Sequence, residues 1–309
     1  MKSILITGCN RGLGLGLVKH LAGVVENVFA TCRNVNKATE LTTLAEKSKN
    51  IHIVEIDLTD TKNYNKIIQV ITEKVGDDGL NVLFNNAGIS QKFTRLGLVK
   101  EKHLMETFFV NTVAPIMLTK TLLPLLKMAS SKFEDNSKMC VRRAAVINMT
   151  SILGSIAENN EGGFYSYRCS KAALNAATKS MSIDLKEDGI LVACMHPGWV
   201  RTDMGGANAP MDIETSINNI VKTLDTLTEK HTGCFLQHDG KILPCTVKSN
   251  EIILFTVNVF VIPIKVCVDS NCFAIRIIFI LFRVCQSLFC TCYGAISVTQ
   301  RNASYIPKL

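Results

Sequence analysis

Two tyrosines, a cysteine and a lysine lie within seven positions in the segment YSYRCSK, residues 165–171. Tyr167 and Lys171 are four residues apart and would share a helix face, whereas Tyr165 and Lys171 are six apart and would not. A neighbouring ammonium group stabilises a phenolate and lowers a tyrosine pKa that is otherwise about 10. The spacing therefore predicts that Tyr167 acts as a general acid or base near neutral pH.

A glycine-rich turn, TGCNRGLGLG, follows the first apolar run of the chain. Glycines at this spacing allow a tight strand-to-helix turn and a close backbone approach to a diphosphate, while the helix N-terminus supplies amide donors. An isolated match to this motif is often a turn without a ligand. In this chain the motif follows a first strand, which favours a dinucleotide site. The residues assigned to this part of the site are Gly8, Asn10, Arg11, Gly12, Leu13 and Gly14.

Two arginines indicate which dinucleotide would bind. Arg33 ends the second predicted strand, where NAD-binding proteins usually place an acid and an arginine suits a 2′-phosphate. Arg11 in the glycine turn adds a second cation. Either arginine alone is readily explained as an ordinary surface residue, but the two together are less readily explained in that way. Asp57, followed by Leu58, ends the third strand and could accept from the adenine amino group. We therefore predict NADP (NADPH) rather than NAD.

The elements that must position these residues follow an alternating pattern from residue 1 to about 245. Strands separated by segments of helical period imply βαβ crossovers and a parallel sheet that is buried on both faces. The sequence therefore predicts an α/β fold, a doubly wound (Rossmann) parallel sheet with helices on both faces, in a single domain. The predicted strands are Ser3–Ile6, Val28–Ala30, Ile51–Ile56, Leu80–Phe84, Ala144–Asn148 and Leu191–Met195.

Further candidates lie at the ends of the fourth and fifth strands. The fourth ends in NNAG, where Asn86, Ala87 and Gly88 would let the backbone pass close under a bound ring, although NNAG alone is just a turn. Ser151 follows the fifth strand and would hydrogen-bond a substrate oxygen. Because strand, loop and the YxxxK helix occur in this order after a nucleotide motif, a chance match at Tyr167 is a poor explanation.

Together, TGxxxGxG, NNAG, the serine before the helix, YxxxK and HPGWVRTDMGG resemble the short-chain dehydrogenase/reductase family of the classical type. Within that family, NMTSILGSI, YRCSKAALN and HPGWVRTDMGG are most similar to the carbonyl reductases of the sniffer and bacterial C-factor branch. The resemblance covers about residues 1–245, and its motifs are specific jointly rather than singly.

The resemblance implies a catalytic tetrad of Asn111, Ser151, Tyr167 and Lys171. Tyr167 would protonate a carbonyl oxygen while hydride arrives from the nicotinamide, and Ser151 would hold that oxygen. Lys171 would also hold the nicotinamide ribose, and Asn111 would kink its helix and anchor a water for the proton relay. The implied cofactor contacts are Asn86 near the adenosine ribose, and Pro197, Gly198, Val200 and Thr202 near the nicotinamide.

The position of the catalytic serine leaves one alternative. Ser151 precedes Tyr167 by sixteen residues, more than in many family members, whereas Ser155 precedes it by twelve. We favour Ser151 because SILG matches the S-x-x-G of the family and because AENNEGG has the composition of an inserted loop.

Composition and charge exclude several other classes. The net charge of +8 is scattered without an aromatic-interleaved basic run, which argues against a nucleic-acid partner. The start MKSILITG lacks the long apolar region of a signal peptide, and the twelve cysteines include no CxxC pair. We therefore expect free thiols, a cytoplasmic location and no metal site.

Residues 246–309 form a tail of different character, with apolar runs such as IILFTVNVFVIPI and IIFILF. A membrane anchor is disfavoured because Lys265, Arg276 and Arg283 leave no run of about 20 uncharged apolar residues. A second folded domain is disfavoured because so short a piece lacks clear elements. We favour a third interpretation, translated non-coding sequence.

The leading functional hypothesis is an NADPH-dependent reductase of small aldehydes or ketones. A non-catalytic dinucleotide sensor or scaffold is the rival from another class, and an NAD-dependent alcohol dehydrogenase is the rival among enzymes. The substrate and the oligomeric state are left open by the sequence, a homo-oligomer included.

Overall fold

The computed structural model describes residues 1–91, 93–135 and 138–246, and the backbone of two strands, β8 (Leu254–Val257) and β9 (Phe260–Pro263). The chain divides into two compact units, Met1–Lys248 and Ser249–Leu309. In the second unit β8 and β9 pair antiparallel, a feature that the sequence analysis did not predict. The rest of the predicted tail lies outside the described residues, so the interpretations of that tail remain predictions.

A single sheet of seven parallel strands forms the centre of the first unit, in the order β3-β2-β1-β4-β5-β6-β7. Six strands are the predicted ones, with ends shifted by one or two residues, and β7 was not predicted because so short a strand carries no readable period. The strands are β1 (Ser3–Ile6), β2 (Asn27–Cys32), β3 (Ile51–Glu55), β4 (Val82–Asn85), β5 (Ala145–Met149), β6 (Leu191–His196) and β7 (Phe235–Gln237).

Helices cover both faces of this sheet, which confirms the predicted doubly wound fold. A π-helical turn at Phe109–Val113 joins α4 to α5, so that one continuous helix spans Glu101–Ser131. The helices are α1 (Gly12–Leu21), α2 (Thr39–Lys47), α3 (Asn65–Val75), α4 (Glu101–Phe108), α5 (Ala114–Ser131), α6 (Tyr165–Asp184) and α7 (Ile213–Thr226).

The central strand β1 shows how two cores form. Ile4, Leu5 and Ile6 are all fully buried. Ile4 and Ile6 belong to the core under α1 and α7, whereas Leu5 points to the opposite core under α3 and α5. Because both faces are covered, the strands are continuous apolar runs rather than alternating ones.

The strand order reverses at β1, which lies between β2 and β4. In doubly wound sheets the connections leave β1 and its neighbour on opposite faces, so a crevice opens beyond the carboxyl ends of the strands at this point. The fold therefore places the glycine turn after β1 and the NNAG turn after β4 side by side.

One described helix, Glu101–Ser131, is long and apolar enough to cross a membrane by length and composition. Half of its most apolar window, 50%, is buried inside the fold, where Leu118, Leu122 and Leu126 belong to the core. Packing in the core accounts for its apolar character.

Candidate active site

A cleft of about 450 Å³ opens at the carboxyl ends of the strands where their order reverses. It is lined by most of the residues that the sequence predicted, from both the nucleotide and the chemical end. The predicted residues that line it are Gly8, Asn10, Arg11, Gly12, Leu13, Gly14, Arg33, Asp57, Leu58, Asn86, Ala87, Gly88, Tyr167, Lys171, Pro197 and Thr202. The predicted residues outside its lining are Asn111, Ser151, Gly198 and Val200.

The glycine turn between β1 and α1 has a backbone that only glycine adopts easily. Gly8 and Gly12 have φ values of 70° and 59°, in the left-handed region. A Cβ on Gly14 would overlap the carbonyl oxygen of Gly8 and would lie 2.7 Å from Nδ2 of Asn86. The first turn of α1 carries no acidic residue, so no side chain of that turn offsets the positive potential of the helix N-terminus.

Arg33 is exposed where β2 ends and lines the cleft. Among the residues that the structure describes, no carboxylate lies within ion-pair distance of it. Asp57 also lines the cleft, and its Oδ1 accepts from the backbone amide and the hydroxyl of Thr59, each at 2.8 Å. The bond from the Thr59 amide is the main cause of a lowered Asp57 pKa, with a smaller contribution from Arg33. This end of the cleft holds an ionised acceptor beside a cation without an ion-pair partner.

Arg11 also lines the cleft, but it has a carboxylate partner that the sequence analysis missed. Its Nη1 forms an ion pair with Oδ2 of Asp203, from the loop that follows β6. The two side chains are 69% and 72% exposed. The pair thus joins the glycine turn to the loop after β6 at the surface of the molecule.

Asn86 holds the glycine turn against the end of β4. Its Nδ2 donates to the carbonyl of Thr7 at 2.8 Å and to that of Gly8 at 3.3 Å, and the amide of Ala87 donates to the Thr7 hydroxyl at 2.9 Å. The NNAG turn therefore shapes the cleft floor as well as lining it.

Asn111 lies fully buried in the π-helical turn, at the place where the sequence analysis expected a kink. Its Oδ1 accepts from the Ile89 amide at 2.8 Å, and its Nδ2 donates to the Ile89 carbonyl at 2.9 Å and to Oγ of Ser170 at 3.0 Å. Such turns widen a helix locally and are frequent at functional sites. Asn111 thereby ties the loop after β4 to α6 beside Lys171.

Tyr167 and Lys171 both line the cleft from one face of α6, whereas Tyr165 does not line it. The Lys171 Nζ lies 5.7 Å from the centroid of the Tyr167 ring and donates to the Met149 carbonyl at 2.8 Å. The four-residue spacing therefore places both side chains on one face of α6, as predicted.

The pKa of Tyr167 departs from the expectation that Lys171 lowers it. Burial raises the pKa of Tyr167 to about 12, and a side-chain hydrogen bond with Ser151 offsets only part of the rise. Although the ring keeps a partly exposed edge toward the cleft, protein encloses it on the other sides and disfavours the phenolate. Burial also lowers the pKa of Lys171 to about 8. This reduces the positive charge that was expected to stabilise the Tyr167 phenolate. The pair is a neutral phenol beside a lysine that titrates near pH 8.

The two candidate serines have different partners. Ser151 accepts from the Leu153 amide at 3.2 Å, and its side chain lowers the pKa of Tyr167, partly offsetting the effect of burial. Ser155 instead donates to the carbonyl of Pro244 at 2.6 Å and accepts from the Glu158 amide at 3.3 Å. This geometry favours Ser151 as the group that acts with Tyr167.

The loop after β6 brings Pro197 and Thr202 to the cleft, whereas Gly198 and Val200 of the same loop do not line it. Gly198 has a φ of 89°, and Val200 bridges to Met211, which closes the loop on itself. The lining residues that the sequence analysis missed are Thr31, Cys32, Ile56, Thr59, Ile89, Val110, Met149, Thr150, Arg201, Asp203, Met204 and Ile213. These residues lie at strand ends, in the loops that follow them and at helix starts, and only adjacency to a predicted residue could have indicated them.

The residues of this cleft fit a dinucleotide phosphate. A cradle of left-handed glycines meets a helix N-terminus at its middle, Arg33 and Asp57 stand at one end, and Tyr167 and Lys171 stand at the other. No group of three or more His, Cys, Asp or Glu within residues 1–91, 93–135 and 138–246 is arranged to hold a metal ion.

Comparison with known proteins agrees with this geometry. The carbonyl reductase Sniffer of D. melanogaster is 53% identical and has a TM-score of 0.77, with 79% of this chain and 99% of that chain covered. An NADPH-bound carbonyl reductase from chicken fatty liver is 38% identical with a TM-score of 0.75, and covers the same shares. The C-signal protein of Myxococcus xanthus is 39% identical over 165 residues, 53% of this chain and 92% of that protein.

The family model described as short chain dehydrogenase matches residues 2–212, a range that includes the glycine turn, the Tyr167–Lys171 pair and the loop after β6. The predicted resemblance is thereby confirmed, and the chain belongs to the short-chain dehydrogenase family of oxidoreductases.

Proposed function

We propose that the protein reduces aldehyde or ketone carbonyls, with NADPH as the hydride donor and Tyr167 as the proton donor. The observation that carries this proposal is that Tyr167 and Lys171, with the Lys171 Nζ 5.7 Å from the Tyr167 ring centroid, share a cleft with a glycine cradle and with Arg11 and Arg33. The similarity to two carbonyl reductases, one of them NADPH-bound, supports it.

The residues at the chemical end have distinct tasks in this proposal. With a pKa raised to about 12 by burial, Tyr167 keeps its proton at neutral pH, and proton transfer to the substrate oxygen then requires stabilisation of the phenolate that forms. Ser151, whose side chain lowers the pKa of Tyr167, would hold the substrate oxygen beside the Tyr167 hydroxyl. Lys171 would stabilise the phenolate left behind, most strongly below its own pKa of about 8.

The residues at the nucleotide end would hold and orient the cofactor, which supplies the hydride when it is bound. Backbone amides of the glycine turn and the N-terminus of α1 suit the diphosphate. Arg33 and Arg11 suit the 2′-phosphate that distinguishes NADPH from NADH, since charge-assisted hydrogen bonds are worth about 1.5–3 kcal/mol each.

The test is NADPH oxidation by the full chain with a panel of small aldehydes and ketones, together with dissociation constants for NADPH and NADH. We expect turnover and at least about tenfold tighter binding of NADPH, a preference that Arg33→Asp erodes or reverses. Arg95→Asp is the matched control, because Arg95 is equally a surface arginine but does not line the cleft. Binding without turnover would instead indicate a dinucleotide sensor, and alcohol oxidation with an NAD preference would indicate an alcohol dehydrogenase.

We also propose that the protein works in the cytoplasm on small carbonyl compounds. All seven cysteines within the described part of the chain are free thiols, which suits a reducing compartment. Fractionation of cells that express the full chain would contradict this location if the protein were recovered in a secreted or membrane fraction.

A further inference from the structure

The ion pair between Arg11 and Asp203 lies at the mouth of the cleft, and neither the sheet nor the proton transfer requires it. Asp203 is a lining residue with no task in the proposed chemistry. Its partner is one of the two cations that we assign to the 2′-phosphate. A carboxylate in this position opposes an incoming phosphate by occupying the guanidinium that would bind it.

Asp203 is presented by a tightly held turn. The Thr202 hydroxyl accepts from the Gly205 amide at 3.1 Å, and the Gly206 amide donates to the Thr202 carbonyl at 2.8 Å. The indole of Trp199 donates to the Gly205 carbonyl at 2.8 Å. These bonds fix the backbone around Asp203, so its carboxylate remains near the cleft whether or not Arg11 is paired with it.

Arg11 can exchange partners more easily. Its backbone is fully extended just before α1, its side chain makes no capping hydrogen bond, and it is 69% exposed. Exposed ion pairs are weak because water screens them and two flexible side chains must be ordered. A phosphate dianion offers more charge and several acceptor oxygens to a guanidinium, so it can displace a single carboxylate.

The other arginines of the cleft do not share this arrangement. Arg33 has no carboxylate within ion-pair distance in the described part of the chain. Arg201 is held inside its own loop, donating to the carbonyls of Ala209 and Pro210 at 3.0 and 2.8 Å and facing Asp212 at 3.5 Å. Arg11 is thus the cation whose availability depends on a movable contact.

We propose that Asp203 competes with the 2′-phosphate of NADPH for Arg11, and that it thereby limits how strongly the protein prefers NADPH to NADH. This inference rests on the proposed function, because it deepens the cofactor assignment. Asp203 is a specificity-determining residue that acts against the phosphate, while Arg33 acts in its favour.

The experiment measures binding by calorimetry and needs no turnover. The probes are adenosine 2′,5′-bisphosphate, which carries the 2′-phosphate, and AMP, which does not. We expect Asp203→Asn to tighten binding of the bisphosphate about threefold, the size of an exposed ion pair, and to change AMP binding by less than about twofold. The effect should shrink in high salt, which screens exposed charges.

Two controls separate this competition from a general loss of negative charge. In an Arg11→Ala background, Asp203→Asn should no longer improve binding of the bisphosphate relative to AMP, since the contested cation is gone. Asp78→Asn removes a similarly exposed, ion-paired carboxylate that does not line the cleft, and should leave both probes unchanged.

The proposal is overturned if Asp203→Asn weakens or leaves unchanged the binding of the bisphosphate, or if the improvement persists without Arg11. Failure of the cofactor assignment would look different, because the unmodified protein would then bind both probes equally. If Asp203→Asn created a preference in such a protein, the role of Asp203 would stand; if it created none, both proposals would fall.

Discussion

Tyr165 and Tyr167 lie at the start of α6, two positions apart, yet only Tyr167 faces the cleft and the Lys171 ammonium. We expect Tyr167→Phe to reduce carbonyl turnover by about 10²–10⁴-fold, the usual contribution of a general acid. NADPH binding should stay nearly intact, because the change removes one oxygen and little packing. Tyr165→Phe is the matched control and should be close to silent. Steady-state kinetics and NADPH titration of both variants test this, and similar losses in the two would contradict the helix-face argument.

The sequence predicted the meeting of Tyr167 and Lys171, because residues four apart on any helix lie on one face. It could not predict the direction of the Tyr167 pKa. That direction depends on how completely protein encloses the ring, and the enclosing residues come from distant parts of the chain. The contact between Asp203 and Arg11 could not be predicted either, because it joins residues 192 positions apart.

The first helix shows how an element constrains the site. Gly14 has no room for a side chain, since a Cβ would overlap the Gly8 carbonyl oxygen, which belongs to rigid backbone. We expect Gly14→Ala to lower the free energy of unfolding by about 1–3 kcal/mol and to impair NADPH binding, although alanine is the better helix former. Gly23→Ala is the control, because nothing lies within 4 Å of the Cβ position there. Denaturant unfolding of both variants measures the difference, and equal stability would show that the glycine turn tolerates a methyl group.

Among the helices and strands, the sequence predicted the elements that show a hydrophobic period. It missed the elements that form only through contacts with distant residues. The strands β1 to β6 are apolar runs bounded by polar segments, and these were found within two residues. The strand β7 was missed because Phe235–Gln237 becomes a strand only by pairing with β6. The π-helical turn around Asn111 depends on bonds to Ile89 and Ser170, neither of which is a local neighbour.

The stability of the whole molecule should depend on pH through the protonation of His196. The Nδ1 of His196 is a buried atom without a hydrogen-bond partner in the described structure. Burial, with a smaller contribution from His238, lowers the pKa of His196 from 6.5 to about 4. The unfolded chain therefore takes up this proton first as the pH falls, and stability is lost between pH 6.5 and about 4, by up to about 3 kcal/mol.

Urea unfolding at several pH values between 7 and 4 measures this loss. His196→Gln should have a flatter pH profile than the unmodified protein, because the variant has no imidazole to protonate. His20→Gln should keep the original profile, since His20 is exposed on α1. Parallel profiles for the unmodified protein and His196→Gln would show that His196 is not the responsible group.

The last residues of the first unit make hydrogen bonds to β7 and to the segment that follows Ser151. The Leu243 amide donates to the Phe235 carbonyl at 2.7 Å, which extends the edge at β7. The Pro244 carbonyl accepts from Ser155 at 2.6 Å, and the Cys245 carbonyl accepts from the Ile156 amide at 3.0 Å. These bonds anchor the segment that begins at Ser151, so a truncation should be tolerated only if it keeps Cys245.

Two truncations compare these boundaries. We expect deletion of residues 246–309 to leave carbonyl reduction and NADPH binding intact, because the predicted site residues lie between Gly8 and Thr202. Soluble yield should improve, since the tail sequence contains apolar runs that favour aggregation when exposed. Deletion of residues 242–309 should instead reduce both activity and stability, because it also removes these three hydrogen bonds. Specific activity, soluble yield and membrane fractionation of the three forms test this.

Loss of activity in a folded protein that ends at Cys245 would show that the tail is part of the enzyme. Salt-resistant membrane association of the full chain alone would support a membrane anchor.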